Sequence, residues 1–207
     1  MAQLVFSNDW FDRWTRDTWV HMFTVLKPSR ILEIGVYEGA STCCAIQLVG
    51  SFRPLEIHSI DHWQGGIDHV EGAIDMASVE ERFLRNTAGM RKDMPHEVRH
   101  EVHKGRSDRE LAKLLVGGYE NYFDFIYVDG SHQAADVMID AVLSFKLLKV
   151  GGFMGFDDYL WAESLPYGRD PVRSPKMAID AFLTANCRKF DYMDSPCSQV
   201  YITKTAE

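Results

Sequence analysis

The sequence has no excess of positive charge, no long apolar run and no signal peptide. Its 22 Lys and Arg residues are outnumbered by 30 Asp and Glu residues, which gives a formal net charge of −8. Nucleic-acid surfaces need clustered basic residues, so this balance argues against a nucleic-acid partner. No run approaches the roughly 18 apolar residues of a membrane span, and no basic segment precedes an apolar core at the start of the chain. We therefore expect a soluble protein with no membrane partner.

The cysteines are few and show neither a CxxC pair nor the spacing of a disulfide framework; they are Cys43, Cys44, Cys187 and Cys197. We interpret them as free thiols in a reducing compartment, which predicts a cytoplasmic location. A chain of 207 residues is long enough for one domain with a substantial core and short for two. We expect a single domain over residues 1–207, with a helical extension at 1–27 and the core at 28–207.

Short apolar runs alternate with segments of helical periodicity along the chain. Strands are predicted at 30–35, 56–61, 97–105, 123–129 and 153–157, with helices at 9–26, 39–50, 77–89, 108–116, 133–148 and 174–186. Such alternation predicts an α/β fold in which helices cover both faces of a mostly parallel sheet. The last two apolar runs, 189–193 and 198–204, predict an antiparallel hairpin at one sheet edge. With that hairpin the sheet has seven strands.

The first strand runs into a glycine turn and a helix in the segment "LEIGVYEGAST". The spacing from Gly35 to Gly39 is Gly-x3-Gly, whereas a dinucleotide fold needs G-x-G-x-x-G to admit a pyrophosphate. This disfavours a nicotinamide oxidoreductase. A ligand with a nucleoside and a small carboxylate fits better, because Ser41 and the turn amides can hold a carboxylate. Asp61, which ends the second strand, can accept hydrogen bonds from both ribose hydroxyls, or it is a solvated loop acid.

Two later strands end on carboxylates, at Asp129 and at the pair Asp157 and Asp158. If these strands are neighbours, the three acids meet at one edge of the sheet. At an effective dielectric constant of 20, two like charges about 4 Å apart cost about 4 kcal/mol. Either one carboxyl stays protonated or a cation lies between them, and carboxylate oxygens suit a hard ion such as Mg²⁺.

Three histidines near the third strand, His96, His100 and His103, raise the question of a zinc site. Residues 100 and 103 of a strand point to opposite faces, which argues against one. Asp136 and Asp140 share a helix face, and we expect both to be solvated. The loops at 62–76 and 159–174 follow strand ends and are candidates for lids, and Trp63 either covers a ligand or packs its loop. Tyr159, Trp161 and Tyr167 are our candidates for the wall of a substrate pocket.

Several segments together resemble a known family. "ILEIGVYEGAST", "SIDHW", "KGRS", "DFIYVDGSH" and "LLKVGGFMGFDDY" resemble the class I S-adenosylmethionine-dependent methyltransferases. The closest likeness is to the small O-methyltransferase branch that includes catechol O-methyltransferase and the macrolide sugar O-methyltransferases. The likeness runs in order over residues ~28–204, so it implies the Rossmann-like methyltransferase fold.

The resemblance also implies a set of cofactor-binding residues. Glu33, Gly35, Tyr37 and Ser41 would line the methionine half of S-adenosylmethionine, Asp61 would hold the ribose and Ser107 would lie near the adenine. The full set that we expect at the cofactor is Glu33, Gly35, Tyr37, Gly39, Ser41, Asp61, His62, Ser107 and Asp129. Many relatives have an acid where this chain has Arg106, and Ser107 is also a candidate N-cap of the next helix.

The same resemblance assigns the acids to a metal and a histidine to catalysis. Asp129, Asp157 and Asp158 would hold Mg²⁺ or another divalent cation; the alternative is that they are strand-end caps. His132 would be the general base, assisted by Asp129; the alternative is a cap of the helix that begins near Ala134.

These expectations describe a methyltransferase of class EC 2.1.1 that methylates a hydroxyl of a sugar, a polyol or a catechol-like metabolite with metal assistance. The alternatives are a metal-independent methyltransferase and a non-catalytic S-adenosylmethionine-binding protein. The partner that we expect is a small-molecule methyl acceptor. The aromatic N-terminal helix, with Trp10, Phe11, Trp14 and Trp19, either packs on the sheet or forms a homo-oligomer contact.

Overall fold

The computed structural model describes residues 3–66 and 74–207. The strands are β1 (Arg30–Ile34), β2 (Leu55–Asp61), β3 (Val98–Lys104), β4 (Phe123–Val128), β5 (Leu148–Phe156), β6 (Phe190–Met193) and β7 (Val200–Lys204). The α-helices are α1 (Trp10–Trp14), α2 (Arg16–Leu26), α3 (Ala40–Gly50), α4 (Met76–Lys92), α5 (Ser107–Val116), α6 (Ala134–Leu147) and α7 (Pro175–Ala185), and a 3₁₀ turn covers Pro171–Arg173. The strands form a seven-stranded sheet in the order β3-β2-β1-β4-β5-β7-β6. The predicted fold class, with its C-terminal antiparallel hairpin, is confirmed.

The chain divides into two compact units, residues 1–104 and 105–207. In the first unit β1 pairs in parallel with β2, and β2 with β3. Ile31, Leu32 and Ile34 of β1 are buried, as the apolar run predicted. The backbone N–H of Gly35 donates to the carbonyl of Ile60 over 2.9 Å. That bond places the turn after β1 beside the end of β2.

In the second unit β4 pairs in parallel with β5, and β5 pairs antiparallel with β7. Val128 lies opposite Phe156, and Phe156 lies opposite Val200. The next residues beyond these rows are Asp129, Asp157 and Gln199. The register therefore sets three polar side chains along the same edge of the sheet.

Two boundaries differ from the sequence-based expectation. The helix predicted at 9–26 is interrupted at Thr15, which leaves helical geometry with φ −122° and ψ −33°. Gly151 and Gly152, which we expected to stop a helix, lie inside β5. A Cβ on Gly152 would lie 3.0 Å from the Asp124 carbonyl oxygen, so glycine permits close approach of β4 and β5 there. Among the described residues, no helix is both long and apolar enough to span a membrane.

Candidate active site

The turn between β1 and α3 depends on left-handed backbone at three positions. Gly35, Tyr37 and Gly39 have φ values of 78°, 47° and 81°. The N–H of Gly39 donates to the carbonyl of Val36 over 2.7 Å, which closes the turn immediately before α3. The helix N-terminus thus points its free amides out of the turn, a geometry that favours an anionic group of a ligand.

Close packing is a second reason, besides the backbone conformation, why position 39 requires glycine. A Cβ at this position would lie 2.9 Å from Cδ2 of Phe83 and 3.2 Å from Cγ2 of Thr87, both on α4. Helix α4 therefore packs directly against the glycine turn and fixes its position.

We expect Gly39→Ala to destabilise the protein by more than its left-handed backbone alone explains. The strain should cost about 1–2 kcal/mol, and the overlap with Phe83 about 1–3 kcal/mol more. Gly151→Ala is the matched control, because Gly151 has φ 80° and nothing within 4 Å of an added Cβ. Urea denaturation of both variants measures the difference, and equal losses would contradict the packing argument.

Glu33 ties the end of β1 to the start of α3. It has no exposed surface, and its carboxylate accepts hydrogen bonds from the hydroxyls of Ser41 and Thr42. The pKa of Glu33 is raised to about 7, because burial, with a smaller contribution from the charge of Asp61, outweighs the lowering effect of the two hydroxyls. Since Glu33 and Ser41 engage each other here, their contact with the methionine half of a cofactor stays a prediction.

Asp61 shapes the same turn and is not a solvated loop acid. Its Oδ2 accepts from the backbone N–H groups of Val36 at 3.0 Å and Tyr37 at 3.1 Å, and its Oδ1 accepts from that of Trp63 at 2.8 Å. A carboxylate has about four acceptor positions. Only about one is left, so a ribose bound through both hydroxyls would have to share a position with a turn amide.

Two tryptophans pack around Tyr37. Trp63 is 5% exposed, donates from Nε1 to the Tyr37 carbonyl over 3.0 Å and lies 5.0 Å from the Phe83 ring. Trp63 therefore packs its loop. Trp10 of α1 lies 5.7 Å from the Tyr37 ring, between ring centroids. The adjacent His62 accepts from the N–H of Gln64; residues 67–73 of the predicted lid lie outside the described residues.

The N-terminal aromatic residues divide into a buried and an exposed set. Trp19 is fully buried and stacks on Phe23, with Phe11 edge-on to it. Trp10 and Trp14 are 55% and 63% exposed. Trp19 thus belongs to the core of the first unit, and the expected homo-oligomer contact stays a prediction.

In the second unit the predicted metal and catalytic side chains line a single pocket, which we call the acid pocket. It encloses about 230 Å³ of empty space, including the part open to solvent, and is lined by Val128, Asp129, Gly130, Ser131, His132, Val137, Phe156, Asp157, Asp158, Pro175 and Ile179. The strand ends and the start of α6 thus bring together Asp129, His132, Asp157 and Asp158, as the sequence predicted.

Asp157 is held by two residues that the sequence did not single out. The hydroxyl of Tyr127 donates to its Oδ2 over 2.5 Å, and Nε2 of Gln199 donates to its Oδ1 over 2.9 Å. Burial raises the pKa of Asp157, Asp158 raises it further, and the two donors lower it. Tyr127 is part of an apolar strand and is fully buried, so the sequence gives no sign of its role beyond the core. Gln199 reaches Asp157 only through the pairing of β5 with β7.

His132 is oriented by Asp158. Its Nε2 lies 3.0 Å from Oδ2 of Asp158, and the ring of Trp161 lies 4.1 Å away, between ring centroids. The residue at the N-cap of α6 is Gln133, so His132 does not cap that helix. Of the other candidate wall residues, Tyr159 donates to Asp180 over 2.7 Å and Tyr167 is 72% exposed.

The three carboxylates share the pocket without forming a tight cluster. A tight cluster occurs elsewhere. Within residues 3–66 and 74–207, only His58, Glu101 and His103 form a group of three potential metal ligands whose ligand atoms all lie within 4.8 Å of one another. Like charges repel, which opposes a closer approach of the three acids. Their oxygen-only donor set still suits a hard divalent cation.

Ser107 and Asp140 lie near each other in the second unit. Ser107 is the first residue of α5 and Arg106 its N-cap, so Ser107 is not the cap itself. Asp140 is 1% exposed, and its pKa is raised to about 7, because burial outweighs the lowering effect of the Ser107 hydroxyl. The expectation that Asp140 is solvated is wrong; helical spacing places it on the face of Val137 and Ser144, which are buried as well.

The left-handed glycine turn, the strand-end acids and the sheet order together define a Rossmann-like methyltransferase fold. A sequence profile described as a methyltransferase domain matches residues 32–159. The chain belongs to this methyltransferase family.

Solved structures share this fold at low sequence identity. The chain is 20% identical to the methyltransferase PaMTH1 of Podospora anserina, solved with SAH, at a TM-score of 0.60, with 92% of this chain and 77% of that one covered. It is 17% identical to the O-methyltransferase TomG of Streptomyces achromogenes, solved with SAM, at a TM-score of 0.63 and coverage of 92% and 79%. It is 18% identical to MycE from the mycinamycin pathway, solved with Mg, SAH and mycinamycin VI, at a TM-score of 0.58 and coverage of 98% and 51%. No curated protein sequence matches the chain.

Proposed function

We propose that this protein is an S-adenosylmethionine-dependent O-methyltransferase that acts, with a divalent cation, on a hydroxyl of a small polyhydroxylated or catechol-like metabolite. The observation that carries the proposal is the acid pocket, where Asp129, Asp157, Asp158 and His132 meet. Binding of a nucleoside alone would require neither the acid trio nor the histidine. Two similar solved structures support it, the O-methyltransferase TomG with SAM and the methyltransferase MycE with Mg and SAH.

The residues of the glycine turn fit the cofactor in kind. Left-handed backbone at Gly35 and Gly39 opens the turn, α3 presents free amides, and Asp61 lies at the end of β2 where a ribose is held in related folds. S-adenosylmethionine would supply an electrophilic methyl group. The turn would hold and orient it, which is a large part of catalysis of methyl transfer.

The acid pocket would prepare the acceptor. A divalent cation held by Asp129, Asp157 and Asp158 would lower the pKa of the acceptor hydroxyl. His132 would accept the hydroxyl proton on its imidazole, with the ring oriented by Asp158. Tyr127 and Gln199 would keep the Asp157 carboxylate in place, since both donate to it. Trp161, whose ring lies against that of His132, would contribute to the wall of the acceptor site.

The metal-independent alternative keeps the same cofactor and the same histidine. Asp158 orients His132 through a direct contact between the two side chains. In that case Asp157 and Asp129 would act on the acceptor through hydrogen bonds alone.

Calorimetry and turnover assays separate these possibilities. We expect S-adenosylmethionine to bind with micromolar affinity and NAD not to bind, because Val36 and Tyr37 occupy the place of the dinucleotide glycines. Methyl transfer to a panel of catechols and sugar diols should require Mg²⁺ and stop with EDTA, while cofactor binding continues. Turnover that survives EDTA would remove the metal mechanism, and NAD binding in place of S-adenosylmethionine would overturn the proposal.

A further inference from the structure

Two imidazoles and a carboxylate meet on one face of the β2–β3 pair. Nδ1 of His58 lies 2.9 Å from Nε2 of His103, and 4.0 Å from Oε2 of Glu101. His58 and Glu101 are partners in the strand register, and His103 is two residues further along β3. The spacing of two along one strand and direct pairing across to the next places all three on the same face.

We propose that His58, Glu101 and His103 bind a transition-metal ion such as Zn²⁺, with Nδ1 of His58, Nε2 of His103 and a Glu101 oxygen as ligands. Two histidines and a glutamate are a common three-ligand set for zinc, which leaves a fourth position for water. None of these three residues belongs to the acid pocket. The ligand atoms also differ in kind between the two sites. Imidazole nitrogens favour zinc, copper and nickel, whereas the carboxylates of the acid pocket favour magnesium.

The hydrogen bonds around His58 prepare its Nδ1 for a metal. Its other ring nitrogen, Nε2, lies 3.0 Å from Oε1 of Glu56, which favours the tautomer with the proton on Nε2. Nδ1 then carries a lone pair, directed at His103. A carboxylate on the far nitrogen of a histidine ligand is a recurrent outer contact of zinc sites. Glu56 therefore has the position that such a site needs.

Binding needs a small movement and a change of tautomer. The ring planes of His58 and His103 differ by 15°, and the facing nitrogens hold one proton between them. Zinc at about 2.0–2.1 Å from each nitrogen requires them to be about 3.3 Å apart, so the rings must separate by a few tenths of an ångström. The ion takes the place of the shared proton, which moves through solvent to Nδ1 of His103, so both imidazoles stay neutral. His58 is buried, but the Glu101 side chain is 32% exposed on the edge strand β3, which offers a path for the ion.

His100 provides a matched control on the same strand. Its side chain lies on the opposite face, where its Nε2 is 3.0 Å from Oγ of Ser59. His96 is an exposed histidine before β3 and controls for adventitious surface binding.

The test is a Zn²⁺ titration of the whole protein by calorimetry, in excess Mg²⁺ so that the carboxylates of the acid pocket do not take up zinc. We expect one Zn²⁺ per chain, with His103→Gln weakening binding at least about 100-fold and Glu56→Gln about 10- to 100-fold. His100→Gln and His96→Gln should bind zinc as the unchanged protein does. Co²⁺ should give the visible absorption of a tetrahedral site in the wild type and not in His103→Gln.

Circular dichroism of each variant checks that it is folded. His103 is half-buried at a sheet edge, so its glutamine variant should fold even where a change at buried His58 does not. Zinc affinity that His103→Gln leaves unchanged, or that His96→Gln lowers as much, would overturn the proposal. Methyl transfer plays no part in this measurement, so its outcome is independent of the proposed function.

Discussion

Replacement of Asp129 by alanine should lower turnover about a thousandfold while the affinity for S-adenosylmethionine changes by no more than about threefold. The carboxylate lines the acid pocket at the end of β4, beside Asp157 in the strand register. Its loss would remove a cation ligand, and the stabilisation that a metal gives to developing charge amounts to several kcal/mol, of which each 1.36 kcal/mol is about a factor of ten. Steady-state rates and calorimetry on one preparation measure both quantities.

Asp136→Asn is the matched control. Asp136 lies seven residues further on, but its carboxylate accepts from Ser131 at 2.9 Å and pairs with Arg106 at 3.5 Å. It is not among the residues that line the acid pocket. Its variant should keep turnover within about twofold. Wild-type turnover in Asp129→Ala would show that the acid pocket is not the reaction site, and a matching loss of cofactor affinity would move Asp129 to the cofactor.

The fold was accessible from sequence because β1, β4 and β5 contain short apolar runs that are followed by glycine or an acid. β4 is apolar from Phe125 to Val128 and is followed by Asp129, and such runs are characteristic of parallel strands buried on both faces. Boundaries set by tertiary contact were less accessible. The early start of β5 depends on Gly152 fitting against the Asp124 carbonyl, a contact that no local pattern encodes.

Part of the candidate site could likewise be predicted from the sequence, and part could not. The positions of Asp129, Asp157 and Asp158 follow from where strands end, so sequence alone predicted that they meet. The hydrogen bond from Gln199 to Asp157 depends instead on the register of β7 against β5.

The hydrogen bonds of Asp61 to turn amides were inaccessible for a related reason. They depend on how the turn after β1 folds back onto the end of β2. The pairing of His58 with His103 likewise depends on the register between two strands. The spacing of histidines in the sequence indicated only His96, His100 and His103, which are close together in the chain.

Replacement of Asp61 by alanine is expected to weaken S-adenosylmethionine binding at least about tenfold. A hydrogen bond to a charged group contributes about 1.5–3 kcal/mol, and the carboxylate is the candidate partner of the ribose hydroxyls. The same change also removes the acceptor of the Val36, Tyr37 and Trp63 amides, so part of the loss would come from the turn itself.

A double-mutant cycle divides the two contributions. The second change is in the ligand, S-adenosylhomocysteine without its ribose 2′-hydroxyl, and each combination is measured by calorimetry. If Asp61 holds the ribose, the deoxy ligand should bind the wild type about tenfold more weakly than S-adenosylhomocysteine does. The two ligands should then bind Asp61→Ala with the same affinity. Trp63→Phe, which removes the hydrogen bond from Nε1 to the Tyr37 carbonyl, disturbs the turn while leaving the carboxylate, so both ligands should weaken in parallel. An undiminished penalty for the deoxy ligand in Asp61→Ala would show that Asp61 serves the turn alone, and the ribose would then need another partner.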